Sequence, residues 1–160
     1  MKLLALVAAL ALAGCATQAG PGKTTQVPRA EKCMPTSETK IATLFDRWNA
    51  SLLSGDAHTV AANYAEDAIL LPTVSEQPRL SPAEIEEYFE HFLADAPSGK
   101  VDLRRIYLGC NVAVDAGLYT FTFAKTGQVV PARYAFSYRW DGERWLITSH
   151  HSSAYPAREP

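Results

Sequence analysis

The spacing of apolar residues changes along this chain, and the changes divide it into elements. Ile41, Leu44, Phe45, Trp48 and Leu52 recur at steps of three and four, which predicts a helix with one buried stripe. Thr36 or Ser37 can cap its start, Glu38 sits in its first turn and Gly55 can stop it. Asp56 can cap a second helix, with Val60, Ala61 and Tyr64 on one side. The period then changes at Asp67, and Ala68 to Leu71 reads as a short strand ended by Pro72. A third helix opens with Ser81-Pro82-Ala83-Glu84, an N-cap followed by proline at the first helical position and glutamate at the third. Its apolar face is Ile85, Phe89, Phe92 and Leu93.

From Val101 onward the period is two. The segments Val101 to Leu108, Val112 to Ala124, Gln128 to Trp140 and Arg144 to Ser152 are rich in aromatic and β-branched residues. Gly109-Cys110-Asn111, Lys125-Thr126-Gly127 and Asp141-Gly142-Glu143 separate them, so they read as an antiparallel meander. Three helices followed by long strands predict an α+β fold with the helices on one face of the sheet. On the third long strand Tyr134, Phe136, Tyr138 and Trp140 share one parity and Arg133, Ala135, Ser137 and Arg139 the other. On the last, Trp145, Ile147, Ser149 and His151 oppose Leu146, Thr148, His150 and Ser152. Strict alternation therefore puts His151 with the helix-side core and His150 on the opposite face. Apolar side chains occur on both faces while helices cover one, so the second face is expected to pair with another copy of the chain as a homodimer.

The first fifteen residues are a separate matter. Lys2, the apolar run Leu3 to Leu12 and the small residues after it form the three regions of an export signal, and the run is shorter than the ~20 residues of a spanning helix. Leu12-Ala13-Gly14-Cys15 resembles a bacterial lipobox, which implies a signal peptide over residues 1–14 and lipidation at Cys15. Ala16 in place of an aspartate implies the outer membrane, facing the periplasm. More than one acyl chain on Cys15 would anchor the protein to a membrane with no spanning helix. Residues 15–36 hold Gly20, Pro21, Gly22, Pro28 and Pro35 with few large apolar side chains and read as a tether. Residues 157–160 form a short tail.

The chain has 160 residues, 48% of them hydrophobic, with 15 Lys+Arg against 17 Asp+Glu. That is one domain with a mildly acidic balance, which gives no electrostatic footprint for nucleic acid. Cys33 and Cys110 remain for the folded part. In an oxidising envelope they either form a disulfide that pins the end of the tether or stand as two isolated core residues. No Cys or His spacing fits a zinc site, and adjacent His150 and His151 on a strand point to opposite faces, so no metal is expected.

Two stretches carry a family resemblance. Trp48-Asn49-Ala50, Ser54-Gly55-Asp56 and Tyr64-Ala65-Glu66-Asp67-Ala68 resemble the opening of the nuclear transport factor 2-like superfamily, which includes SnoaL-like cyclases and ketosteroid isomerases. Arg139-Trp140-Asp141-Gly142-Glu143-Arg144-Trp145-Leu146-Ile147, then His150-His151-Ser152-Ser153 and Pro156, resemble the end of the calcium/calmodulin-dependent protein kinase II association domain and its free-standing bacterial relatives. The match spans residues 37–156. It implies a cone, in which a strongly curved antiparallel sheet wraps helices around a pocket, and assembly into dimers or larger rings. No kinase motif and no cofactor motif is present, and no basic amphipathic helix suits calmodulin.

The resemblance also implies arginine inside the pocket, and Arg133 in Val130-Pro131-Ala132-Arg133-Tyr134 is the candidate, with Tyr119, His151, Tyr64 and Trp48 as further polar lining. A guanidinium there suits a small organic acid. In the isomerases the base is a carboxylate on the strand after the second helix, just before its proline. Here that place reads Leu70-Leu71-Pro72, so isomerase chemistry with that base is disfavoured. Two functions follow: a non-enzymatic, oligomerising acid-binding domain, or an isomerase, cyclase or dehydratase in which Arg133 and Tyr119 stabilise an oxyanion and His151 moves a proton.

Overall fold

The structure is a computed structural model that describes residues 32–73 and 75–155. The expected signal peptide over 1–14, the lipidation site Cys15, most of the tether and the tail at 157–160 lie outside the described residues.

Helix α1 spans Glu38–Leu53, and the Ser37 hydroxyl caps it by accepting from the Lys40 N–H at 3.2 Å. Its buried stripe is the expected one, Ile41, Leu44, Phe45, Trp48 and Leu52. Helix α2, Ala57–Ala61, is capped by Asp56 and is shorter than expected. The Asn63 side-chain amide donates to the Thr59 and Val60 carbonyls at the end of that helix, satisfying acceptors a longer helix would have used. The chain then leaves extended, so Tyr64 opens strand β1, Tyr64–Leu71, instead of lying on α2. Helix α3, Pro82–Phe92, starts at Ser81, whose hydroxyl accepts from the Glu84 N–H. Glu84 reaches back one residue past the cap to the Leu80 N–H at 2.7 Å. A single 3₁₀ turn, Leu93–Asp95, connects it to the meander.

The meander consists of β2 (Pro97–Leu108), β3 (Val112–Phe123), β4 (Val129–Trp140) and β5 (Trp145–Ala154). The five strands form one sheet in the order β1-β5-β4-β3-β2, antiparallel except where β1 runs parallel to β5. Helix α1 packs on the inner face, and Asn49 locks it to β2 by a two-way amide pair with Gly99, at 2.9 and 2.7 Å. The core joins α1 to Tyr119, Phe121, Tyr134, Phe136, Tyr138, Trp145 and Ile147 on the sheet.

One irregularity overturns an expectation. Along the β4–β5 pairing the register passes from Tyr138↔Ile147 to Ser137↔Ser149, so Thr148 is an extra residue, a β-bulge. Burial alternates Trp145, Ile147 before the bulge and His150, Ser152 after it. His150 is therefore the core histidine and His151 is exposed on the outer face, the reverse of strict alternation.

Cys33 and Cys110 form a disulfide, which decides between the two readings of that pair. No helix among the described residues is long and apolar enough to cross a membrane. The outer sheet face exposes Leu103, Tyr107, Val112 and Val114.

Candidate functional site

A cavity of about 480 Å³ lies between α3, Trp48 of α1 and the strand ends of the inner face. Most of its wall is apolar and aromatic: Trp48, Tyr88, Phe89, Phe92, Phe121 and Phe123. Its polar groups come from separated parts of the chain, Thr73 after β1, Tyr119 on β3, and His150 and Ser152 on β5. Three hydroxyls meet there. Tyr119 donates to the Ser152 hydroxyl, and Thr73 and Ser152 share a further short hydrogen bond. Burial pushes the Tyr119 phenol well above its usual value, so it stays a protonated donor at physiological pH.

Behind this cluster runs a buried chain. The Trp48 indole donates to the Tyr64 hydroxyl at 3.1 Å, and that oxygen lies 2.8 Å from His150 Nδ1. The His150 ring stacks on Phe136 at 4.0 Å between centroids and meets Trp48 edge-on. Burial in this aromatic setting, with a smaller contribution from His151, lowers the imidazole pKa to about 3, so His150 is neutral. Burial likewise raises the Tyr64 phenol far above its usual value.

The pocket does hold an arginine, but it is Arg79. The backbone of Arg79 bridges Leu70 in antiparallel fashion, N–H to carbonyl at 2.9 Å both ways, which folds the segment after β1 back over the pocket. Its guanidinium lies 5.9 Å from the centre of the Tyr88 ring, a cation–π contact, and its Nε is buried without a hydrogen-bond partner. Burial pushes the Tyr88 phenol up to about 12, against the opposing pull of Arg79. His91, Asp95 and Gln128 are exposed lining residues and mark the mouth.

Of the five residues expected in the pocket, Trp48 and Tyr119 line it and Tyr64 stands directly behind it. Arg133 and His151 do not belong to it. On β4 the pocket is lined by Val130 and Ala132, so Arg133, one residue on, points to the outer face, where it stacks over Tyr155 at 5.4 Å. His151 is displaced by the bulge. The oxyanion and proton-transfer set Arg133, Tyr119 and His151 is therefore not assembled. Thr73, Arg79, His150 and Ser152 were missed, and the only sequence signal for them was the polar cluster at the end of β5.

Deeper on the inner face, fully buried Asp115 accepts from Tyr134 at 2.9 Å and from Arg104 Nε at 3.1 Å. Burial raises the Asp115 pKa against the opposing effects of Tyr134 and Arg104. The Tyr134 ring lies 5.0 Å from that of Tyr119, so this ion pair supports the pocket floor from below. Among the described residues no three His, Cys, Asp or Glu side chains group to hold a metal.

The model of the calcium/calmodulin dependent protein kinase II association domain matches residues 37–156. The chain belongs to this family. A protein from Xanthomonas campestris described as such an association domain is 48% identical, with a TM-score of 0.73 over 76% of this chain and 90% of that one. An NTF2-like protein of unknown function from Pseudomonas putida KT2440 shares the fold at 17% identity, with a TM-score of 0.68 over 80% of this chain and 93% of the other. So does the iota-carbonic anhydrase of a cyanobacterium complexed with bicarbonate, at 15% identity and a TM-score of 0.68 over 83% of this chain and 99% of that one. A search of the curated proteins gave no match. The association domain here thus has the nuclear transport factor 2-like fold.

Proposed function

We propose that this association domain binds a small oxyanion, an organic carboxylate or bicarbonate, at the hydroxyls of Thr73, Tyr119 and Ser152. The observation that carries the reading is the meeting of these three groups from three separate segments on one wall of a largely apolar cavity. The three hydroxyls pair with one another, and an oxyanion offers charged acceptors to several such donors at once. Arg79 supplies the arginine of the described lining and draws an anion inward. A cavity of about 480 Å³ exceeds what bicarbonate fills, so the aromatic wall also accommodates the hydrocarbon part of an organic acid. The same reading has the domain carried on acylated Cys15 and paired with a second copy through the outer face, where Leu103, Tyr107, Val112 and Val114 are exposed.

The binding reading is tested by thermal shift of the full chain with bicarbonate, short aliphatic acids and aromatic acids. At least one class should raise Tm in the wild type and in Arg133→Ala, but not in Ser152→Ala. No shift with any acid contradicts the reading.

A second reading, turnover, is favoured by the hydroxyl cluster together with the bicarbonate held by the carbonic anhydrase of the same fold. In reversible hydration, a water oxygen bonds to the carbon of carbon dioxide and one proton leaves to the buffer, while the hydroxyls stabilise the oxygens that become negative. Stopped-flow hydration with a pH indicator should exceed the buffer rate and fall at least tenfold in Tyr119→Phe. A rate equal to the buffer's removes turnover and leaves binding in place.

A further inference from the structure

His150 brings to the pocket a polar atom that the chain itself does not use. The residue is only 4% exposed, it lines the cavity, and its Nε2 is buried with no hydrogen-bond partner among the described residues. The ring is held in place by its other contacts: it stacks on Phe136, meets Trp48 edge-on and keeps Nδ1 2.8 Å from the Tyr64 oxygen. That oxygen already accepts from Trp48. If Tyr64 in turn donates to Nδ1, one group of the chain stays unmet, the hydrogen on Nε2. The opposite tautomer leaves two unmet among the described residues, the Tyr64 hydrogen and the Nε2 lone pair. Unmet buried polar groups are costly, so the first arrangement is favoured and Nε2 is a donor.

This donor stands beside the hydroxyl cluster. Past the bulge at Thr148 the pairing is regular, Phe136↔His150 and Tyr134↔Ser152, so His150 and Ser152 share the inner face, roughly 6.6 Å apart along the strand. We propose that the pocket takes an oxo acid, with its carboxylate on the hydroxyls of Thr73, Tyr119 and Ser152 and its carbonyl oxygen on Nε2 of His150. A carbonyl suits the place better than a second carboxylate, because the neutral imidazole carries no charge to balance one. It also suits better than a hydroxyl, which would bring a further hydrogen into a largely aromatic wall. The aromatic rings of that wall take the hydrocarbon body. His150 is then a specificity residue: an acid lacking the carbonyl leaves Nε2 as unmet as before.

The place of the carboxylate rests on the oxyanion reading given above, and the test separates the two. Calorimetric titration of the full chain compares 4-oxo-4-phenylbutanoate with 4-phenylbutanoate, which has a methylene in place of the carbonyl. The oxo acid should bind the wild type about five-fold more tightly. In His150→Phe, which keeps a ring against Phe136 and removes both nitrogens, the two acids should bind alike. Nitrogen NMR of the histidine-labelled wild type at neutral pH should show the His150 hydrogen on Nε2, a readout that does not depend on the variant folding. A hydrogen on Nδ1, equal affinities in the wild type, or an undiminished preference in His150→Phe overturns the oxo acid and leaves the oxyanion site standing. Binding of neither acid overturns it as well, and the oxyanion site is then decided by the thermal-shift series.

Discussion

An indole N–H can only donate, so the Tyr64 oxygen accepts from Trp48, and it lies 2.8 Å from His150 Nδ1. A Tyr64 hydroxyl that donates to Nδ1 leaves the imidazole hydrogen on Nε2, a buried atom with no hydrogen-bond partner among the described residues. A histidine held neutral down to about pH 3 makes stability depend on pH with a definite sign. Between about 3 and the ordinary 6.5 the unfolded chain binds a proton that the folded one does not, so His150 makes stability rise with pH across that window by up to about 1.4 kcal/mol per unit. This stability is lost as pH falls below 6.5. Urea unfolding at pH 4.5 and 6.5 should show a smaller difference in His150→Gln than in the wild type, and an equal difference would show that His150 is not the titrating group. At this scale Trp48 was legible from the three-and-four spacing of the α1 stripe, and Tyr119 has the parity of the buried positions of β3. Arg133 was misplaced because the pocket takes the parity of Ala132, one residue earlier.

Elements were legible where caps and periods agree, as at Ser37, Asp56 and Ser81, each of which caps its helix through its own side chain. They were not legible where an extra residue is inserted. Thr148 breaks the period of β5, and no composition signal distinguishes it from its neighbours, so everything after it was assigned to the wrong face. A second such shift lies between Val101 and Leu103 on β2, across from β3. There the Leu103 carbonyl comes so close to Gly117 that a Cβ added to the glycine would sit 1.9 Å from its oxygen. Gly117→Ala should therefore cost on the order of 2 kcal/mol, read as a lower denaturant midpoint. An unchanged midpoint would mean that β2 moves away freely.

The family assignment makes sense of the whole molecule: a long sheet with one face closed over α1 and the pocket and the other open. Light scattering of the full chain should give a dimer or a larger closed assembly, and Tyr107→Glu with Leu103→Asp on the outer face should shift it to monomer. A wild type that stays monomeric at high micromolar concentration contradicts pairing through this face. The curved-sheet fold could be anticipated from residues 37–156, and the disulfide was one of two readings left open for Cys33 and Cys110, whereas the pocket chemistry could not be anticipated, because Thr73, Arg79 and Ser152 come together only through a bulge and a backbone bridge. The most direct measurement of the central claim is calorimetric titration of the acid that gives the largest thermal shift into wild type, Ser152→Ala, Thr73→Val and Arg133→Ala. Loss of at least tenfold in affinity for the first two variants, with Arg133→Ala unchanged, is the expected result. Unchanged binding in Ser152→Ala and Thr73→Val, with loss in Arg133→Ala, would place the ligand on the outer face and contradict the pocket site.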